Sequence, residues 1–135
     1  MKFNKYNDPA HGWLKVKRSL LIELGIDKDI SKASYQRGQY VYLEEDRDMT
    51  IFWKAMEAVG KTVEIKTSIT DKRSGIRSYH VYQYYTEAEL KQMQELILNI
   101  LNASLWSKRA INNIKNGGLT DLYYWSDLYC GTKLY

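Results

Sequence analysis

The densest set of potential metal ligands in this chain is Glu44-Glu45-Asp46-Arg47-Asp48. A Mg²⁺ centre for nuclease or phosphoryl-transfer chemistry needs two or more carboxylates converging at the end of a strand. The run falls where a strand is expected to give way to a helix, a suitable place. Neighbouring carboxylates on one segment do not converge by themselves, however, and no second acidic motif completes the set. Helix capping and a solvated acidic face are the preferred reading, so no metal ligand, catalytic residue or cofactor is assigned. The imidazoles are His11 and His80. His80 falls among tyrosines on an expected strand, where a hydrogen-bonded structural role outweighs a base paired with Tyr. His11 precedes Gly12-Trp13 and is read as turn chemistry. Cys130 is the one cysteine, which leaves neither a disulfide framework nor a Cys-based zinc site and suits a reducing compartment. Gly60-Lys61-Thr62 imitates the end of a phosphate-binding loop. The first glycine of such a loop would stand at Ala55, and here a helix leads in and a strand leads out, the reverse of what the motif needs.

The basic residues are more informative. Net charge is +4, and the excess is concentrated in residues 1–18, 61–85 and 102–118. The second stretch interleaves Lys72, Arg73 and Arg77 with Tyr79, Tyr82, Tyr84 and Tyr85. Lys and Arg contact phosphates while exposed aromatics stack on bases, so this is the best nucleic-acid signal in the chain. Its competitor is a half-buried sheet face beside a solvated turn. Lys108 and Arg109 mark the third stretch. Tyrosine is abundant, with 12 Tyr and 4 Trp against 2 Phe, and Tyr123, Tyr124, Trp125 and Tyr129 concentrate in the tail. Tyr and Trp are frequent interface anchors, and as a group they are expected to pack on the domain or on a partner. The expected binding residues are Lys72, Arg73, Arg77, Tyr79, Tyr82, Lys108, Arg109, Tyr123, Tyr124, Trp125 and Tyr129.

These residues need elements to hold them. The length of 135 residues suits one domain, divided into an α+β core over 1–85, a helical extension over 86–118 and an aromatic tail over 119–135. Residues 1–10 read as an irregular lead-in. A strand is expected over 12–16 and a helix over 17–24, closed by Gly25 with Ile26 behind it. Residues 34–43 form a hairpin turning at Gly38. A helix over 49–59 takes Asp48 as N-cap and buries Met49, Phe52, Trp53, Met56 and Val59. Alternation over 63–69 and again over 76–84 predicts an antiparallel hairpin with a basic tip. Thr86 and Glu89 have capping-box spacing, and the helix they open either bends or breaks near 102–104 before stopping at Gly117-Gly118. The fold class expected is α+β: a small antiparallel sheet with the 49–59 helix packed on it, then a C-terminal helical hairpin. No apolar run reaches the ~18 residues of a membrane span, and no secretory signal is visible at the start.

Residues 11–85 carry a pattern: His11-Gly12-Trp13-Leu14-x-Val16, Leu24-Gly25-Ile26, Tyr42-Leu43-Glu44-Glu45-Asp46-x-Asp48 and Ser74-x-Ile76-Arg77-Ser78-Tyr79. It resembles a group of small uncharacterised proteins encoded by bacteriophages and other mobile elements. The resemblance implies a phage or plasmid origin and the bacterial cytoplasm as the place of action, and it brings no catalytic residues. The function expected is that of a non-enzymatic binding protein that inhibits a host nucleic-acid-dependent defence enzyme, of anti-CRISPR or antirestriction type. Its partner would be a host nuclease, an effector protein or a ribonucleoprotein complex. One alternative is an accessory protein that binds DNA or RNA directly through the basic 61–85 hairpin. A second is a Mg²⁺-dependent nuclease using the 44–48 carboxylates. A direct DNA mimic is disfavoured because mimicry needs a carpet of negative charge.

Overall fold

In Gly12-Trp13-Leu14-Lys15-Val16-Lys17, alternation puts Leu14 and Val16 on one face and Trp13, Lys15 and Lys17 on the other. A computed structural model describes residues 1–103 and builds its sheet around this strand. Strand β1 is Lys2–Asn7, β2 is Gly12–Lys17, β3 is Tyr35–Arg37, β4 is Tyr40–Glu44, β5 is Glu64–Ile69 and β6 is His80–Val81. The helices are α1 (Arg18–Glu23), α2 (Asp48–Ala58) and α3 (Glu87–Ala103). The sheet runs in the order β5-β1-β2-β4-β3-β6, with β1 and β5 parallel and the other neighbours antiparallel. The class is α+β. Met1–Tyr84 forms one compact unit, and α3 belongs to a second that begins at Tyr85.

One sheet face is covered. Phe3, Leu14, Val16, Val41 and Leu43 meet Phe52 and Met56 of α2 and Leu20 and Leu21 of α1 in a single apolar cluster. Phe3 and Phe52 pack edge to face at 5.2 Å. Burying side chains of this size removes them from water at roughly 1.5–3 kcal/mol each. Helix α2 buries the expected Phe52 and Met56, half-buries Met49, and leaves Trp53 and Val59 exposed. Both Gly25 and Gly60 take positive φ after a helix. In each case the next residue's N–H reaches back across the turn, Ile26 to Leu21 O and Lys61 to Met56 O, both at 3.0 Å. That double closure is the Schellman stop.

Several elements differ from the sequence reading. Residues 2–7 are a strand, not an irregular lead-in. Only Phe3 of β1 is buried, so its alternation is faint, and one of its two partners, β5, lies some sixty residues away. The N-cap of α2 is Arg47, and Asp48 is its first helical residue. The 61–85 hairpin does not form. Strand β5 pairs with β1 at one edge of the sheet, while β6 pairs with β3 at the other. Between them Gly75–Ser78 makes a turn of 3-10 helix. Two packing terms explain the crossing: Ile76 and Tyr79 pack against Trp13 and Tyr42, and Arg77 pairs with Asp8. Segment 70–79 thus traverses the sheet face that the helices leave uncovered. In the second unit, the Thr86 hydroxyl accepts the Glu89 N–H at 3.2 Å, as the capping-box spacing predicts. Among the described residues no helix is long and apolar enough to cross a membrane.

Candidate functional site

The face opposite α1 and α2 is read off from register. Lys15 pairs with Asn4 and Tyr42, Lys17 with Tyr40, Tyr40 with Arg37, and Asn4 with Lys66. Paired residues share a face and alternate residues return to it. Lys2, Asn4, Tyr6, Trp13, Lys15, Lys17, Tyr35, Arg37, Tyr40, Tyr42 and Lys66 therefore stand on one side of the sheet, with Glu44 and Glu64 as the acids among them.

The 70–79 segment roofs only part of this face and divides it into two ends. At the open end, Lys2, Lys17, Arg37 and Lys66 are exposed around half-buried Lys15 and Tyr40. The Lys15 ammonium sits 4.1 Å from the centre of the Tyr40 ring, a cation–π contact that holds a charge and a flat π-surface side by side. A groove of about 440 Å³ reaches from Lys2, Lys15, Lys17 and Tyr40 past the strand ends to Leu20 and Glu23 of α1, so it is not confined to this face.

At the roofed end the aromatics are structural. Trp13 and Tyr42 are buried beneath Ile76 and Tyr79. Tyr42 and Tyr79 lie 5.1 Å apart, and Trp13 meets Tyr35 at 6.1 Å. Burial, with Tyr79 and Tyr6 close by, pushes the Tyr42 phenol up to about 12. Arg77 lies over Trp13 at 5.1 Å and donates to both Asp8 oxygens, at 2.6 and 3.0 Å. This bond holds the Asp8 carboxyl well below the usual carboxylate range, against the opposing effect of burial; the backbone N–H groups of His11, Ser74 and Ala10 add to it. Asp8 is thus the clamp that ties segment 74–77 to the β1–β2 loop.

Beside that clamp is a cleft of about 300 Å³ lined by His11, Trp13, Tyr35, Glu44, Asp46 and Arg77. One ligand atom from each of His11, Glu44 and Asp46 lies within 4.8 Å of the other two. No second acidic motif joins the run; what lies beside Glu44 and Asp46 is the His11 imidazole from the β1–β2 loop. The run itself is split. Glu45 pairs with Lys5 at 3.2 Å, and register sets both on the helix-covered face. Asp48 is fully buried and accepts from the Ser31 and Ser34 hydroxyls at 2.7 and 2.6 Å, which makes it a structural anchor. Glu44 is raised above its ordinary value, chiefly by burial and further by Asp46, against backbone N–H groups that pull it down.

The residues expected from sequence are dispersed. Lys72 and Arg73 are exposed after β5. Arg77 is held by Asp8, and Tyr79 packs on Tyr42. Tyr82 is buried, its hydroxyl donating to the Asp27 carbonyl and its ring lying under Arg18; it has no face to offer a base. Lys108, Arg109, Tyr123, Tyr124, Trp125 and Tyr129 lie outside the described residues, as does Cys130. The sequence reading named none of Lys2, Lys15, Lys17, Arg37, Tyr40 and Lys66 as binding residues, although Lys2, Lys15, Lys17 and Lys66 fall in the basic stretches 1–18 and 61–85. The signal was present in the alternation of Trp13, Lys15 and Lys17 and of Tyr40 and Tyr42. No family, curated protein or solved structure was found to match this chain.

Proposed function

We propose that the chain is a nucleic-acid-binding protein and that the open end of its sheet face is the contact surface. The observation that carries this reading is the grouping of Lys2, Lys15, Lys17, Arg37 and Lys66 around Tyr40 on one face, against Glu64 at its edge. Cations spaced along adjacent strands match a phosphate backbone. A ring presented among them suits a single strand, whose unstacked bases are free to lie on it. The phosphate contacts would position the strand, and Tyr40 would stack without reading sequence. This keeps the expected DNA or RNA contact, retains Lys66 of the 61–85 segment and sets the other cations on the face of β1, β2 and β3, around Tyr40 of β4. The broader expectation, an inhibitor of a host nuclease or ribonucleoprotein, leans on the 119–135 tail and on resemblance. A basic sheet face is compatible with it, since guide or target nucleic acid in such a complex presents the same phosphates.

The test is fluorescence anisotropy of labelled single-stranded RNA and DNA across a salt series. Lys15→Ala with Lys17→Ala and Arg37→Ala should weaken binding of every sequence and reduce the salt slope by about 0.7 for each cation removed. Tyr40→Ala should weaken binding by ~1–3 kcal/mol without altering that slope. A triple variant with unchanged affinity and slope overturns the proposal.

A further inference from the structure

We propose that His11, Glu44 and Asp46 bind one divalent transition-metal ion, Mn²⁺ or Zn²⁺, in the cleft at the roofed end of the sheet face. The three donors come from two segments, His11 from the β1–β2 loop and Glu44 and Asp46 from the end of β4, and one ligand atom from each lies within 4.8 Å of the others. An ion at ~2.0–2.2 Å from each donor draws such atoms somewhat closer together, and His11 and Asp46 are exposed enough to turn inward. The segments are held in place. The Asp8 carboxylate accepts the His11 N–H at 3.0 Å, and the Glu45 N–H bonds the Gly12 carbonyl at 3.1 Å, joining the two ligand segments directly.

Glu44 supplies the observation that separates this cleft from an ordinary surface acid. It is only 8% exposed. One carboxylate oxygen accepts the N–H groups of Asp46 and Arg47, at 2.9 and 3.4 Å. The other faces His11 Nδ1 at 3.8 Å, beyond a hydrogen bond. Two carboxylates are thus set side by side with one of them buried, an arrangement that costs free energy unless a cation joins them. Among the described residues, Arg77 is the one Lys or Arg lining the cleft, and it already donates two hydrogen bonds to Asp8. The wall adds an independent sign: Trp13 is 2% exposed, and its indole N–H is buried with no acceptor among the described residues. A water carried by the ion is an acceptor of the right kind. The mixed donor set decides the class of ion: the imidazole suits Zn²⁺ and disfavours Mg²⁺ and Ca²⁺, and the two carboxylates admit Mn²⁺ as well. Three protein ligands leave coordination positions open for water or an incoming oxygen.

The test uses the full chain, stripped with chelator and titrated calorimetrically with MnCl₂, ZnCl₂ and MgCl₂ without nucleic acid, so its outcome is independent of the nucleic-acid reading. One Mn²⁺ or Zn²⁺ should bind per chain, far more tightly than Mg²⁺. His11→Asn and Asp46→Asn should each weaken binding by at least ~10-fold, and Glu45→Gln should not. Both altered ligands are exposed, and circular dichroism checks that the variants stay folded. Paramagnetic Mn²⁺ should broaden amide signals around residues 11, 44 and 46 first. Absence of saturable Mn²⁺ and Zn²⁺ binding by the folded chain overturns the proposal. So does binding unchanged by His11→Asn, or broadening centred elsewhere.

Discussion

The two ends of the uncovered sheet face are built from the same strands and have opposite characters. β2 gives Lys15 and Lys17 to one end and Trp13 to the other; β4 gives Tyr40 to one and Glu44 to the other. Four residues along a strand, ~13 Å, separate an open cationic surface from a roofed imidazole–carboxylate cleft. The open end has exposed lysines around one ring, so its side chains are available and contribute little to folding. The roofed end has its aromatics buried under Ile76 and Tyr79 and its roof tied down by Asp8 and Arg77. Availability for a partner and contribution to stability are thus divided along the length of single strands.

The contrast can be broken first at Trp13. Trp13→Ala should cost ~3–5 kcal/mol in denaturant unfolding, as removal of a large buried aromatic does, whereas Lys17→Ala should stay within about 0.5 kcal/mol. Similar costs at the two positions would erase the distinction. The next largest effect is at Tyr42 and appears at alkaline pH. Its folded phenol titrates at about 12, while the unfolded one titrates near ~10. The unfolded state therefore releases its proton first, and stability falls as pH rises from 10 towards 12, by ~2 kcal/mol or more in total. Tyr42→Phe should remove that loss, measured as unfolding free energy against pH. At the acid end the sign is reversed. Asp8 is held below its ordinary value by Arg77, so the stability it contributes is present above pH ~4 and is lost on acidification below that. Asp8→Asn should lower the melting temperature at neutral pH and flatten its decline between pH 4 and 2.

The strand-helix alternation over 12–24, the hairpin at Gly38, α2 and the α+β class were legible because each rests on local periodicity or turn chemistry. β1 was not, since its single buried residue leaves no period to count, and of its two partners only β2 is near in sequence while β5 is distant. The 61–85 segment misled for a related reason. Two alternating runs joined by Asp71-Lys72-Arg73-Ser74-Gly75 look like a hairpin, and only the Asp8–Arg77 pair and the Trp13–Tyr42 platform, both remote in sequence, pull the second run across the sheet. At the candidate sites, Glu44 and Asp46 were visible as a cluster, but His11 joins them only through the β1–β2 turn. Lys15 and Lys17 were visible as charges alternating onto one face of β2, and only the register brings Tyr40 and Asn4 to that face.

The smallest expected effect is also the sharpest control. Lys72 and Arg73 are exposed cations off the open end, so Lys72→Ala with Arg73→Ala should leave affinity for a single strand nearly unchanged. The most direct measurement compares that pair with Lys15→Ala and Lys17→Ala in one experiment, the salt dependence of binding to a single-stranded oligonucleotide. The open-face pair should reduce the slope of log K against log salt by ~1.4, about 0.7 for each phosphate left without its lysine, while the turn pair leaves it as it was. A slope reduced by the turn pair and untouched by the open-face pair would contradict the assignment of binding to the open end of the sheet.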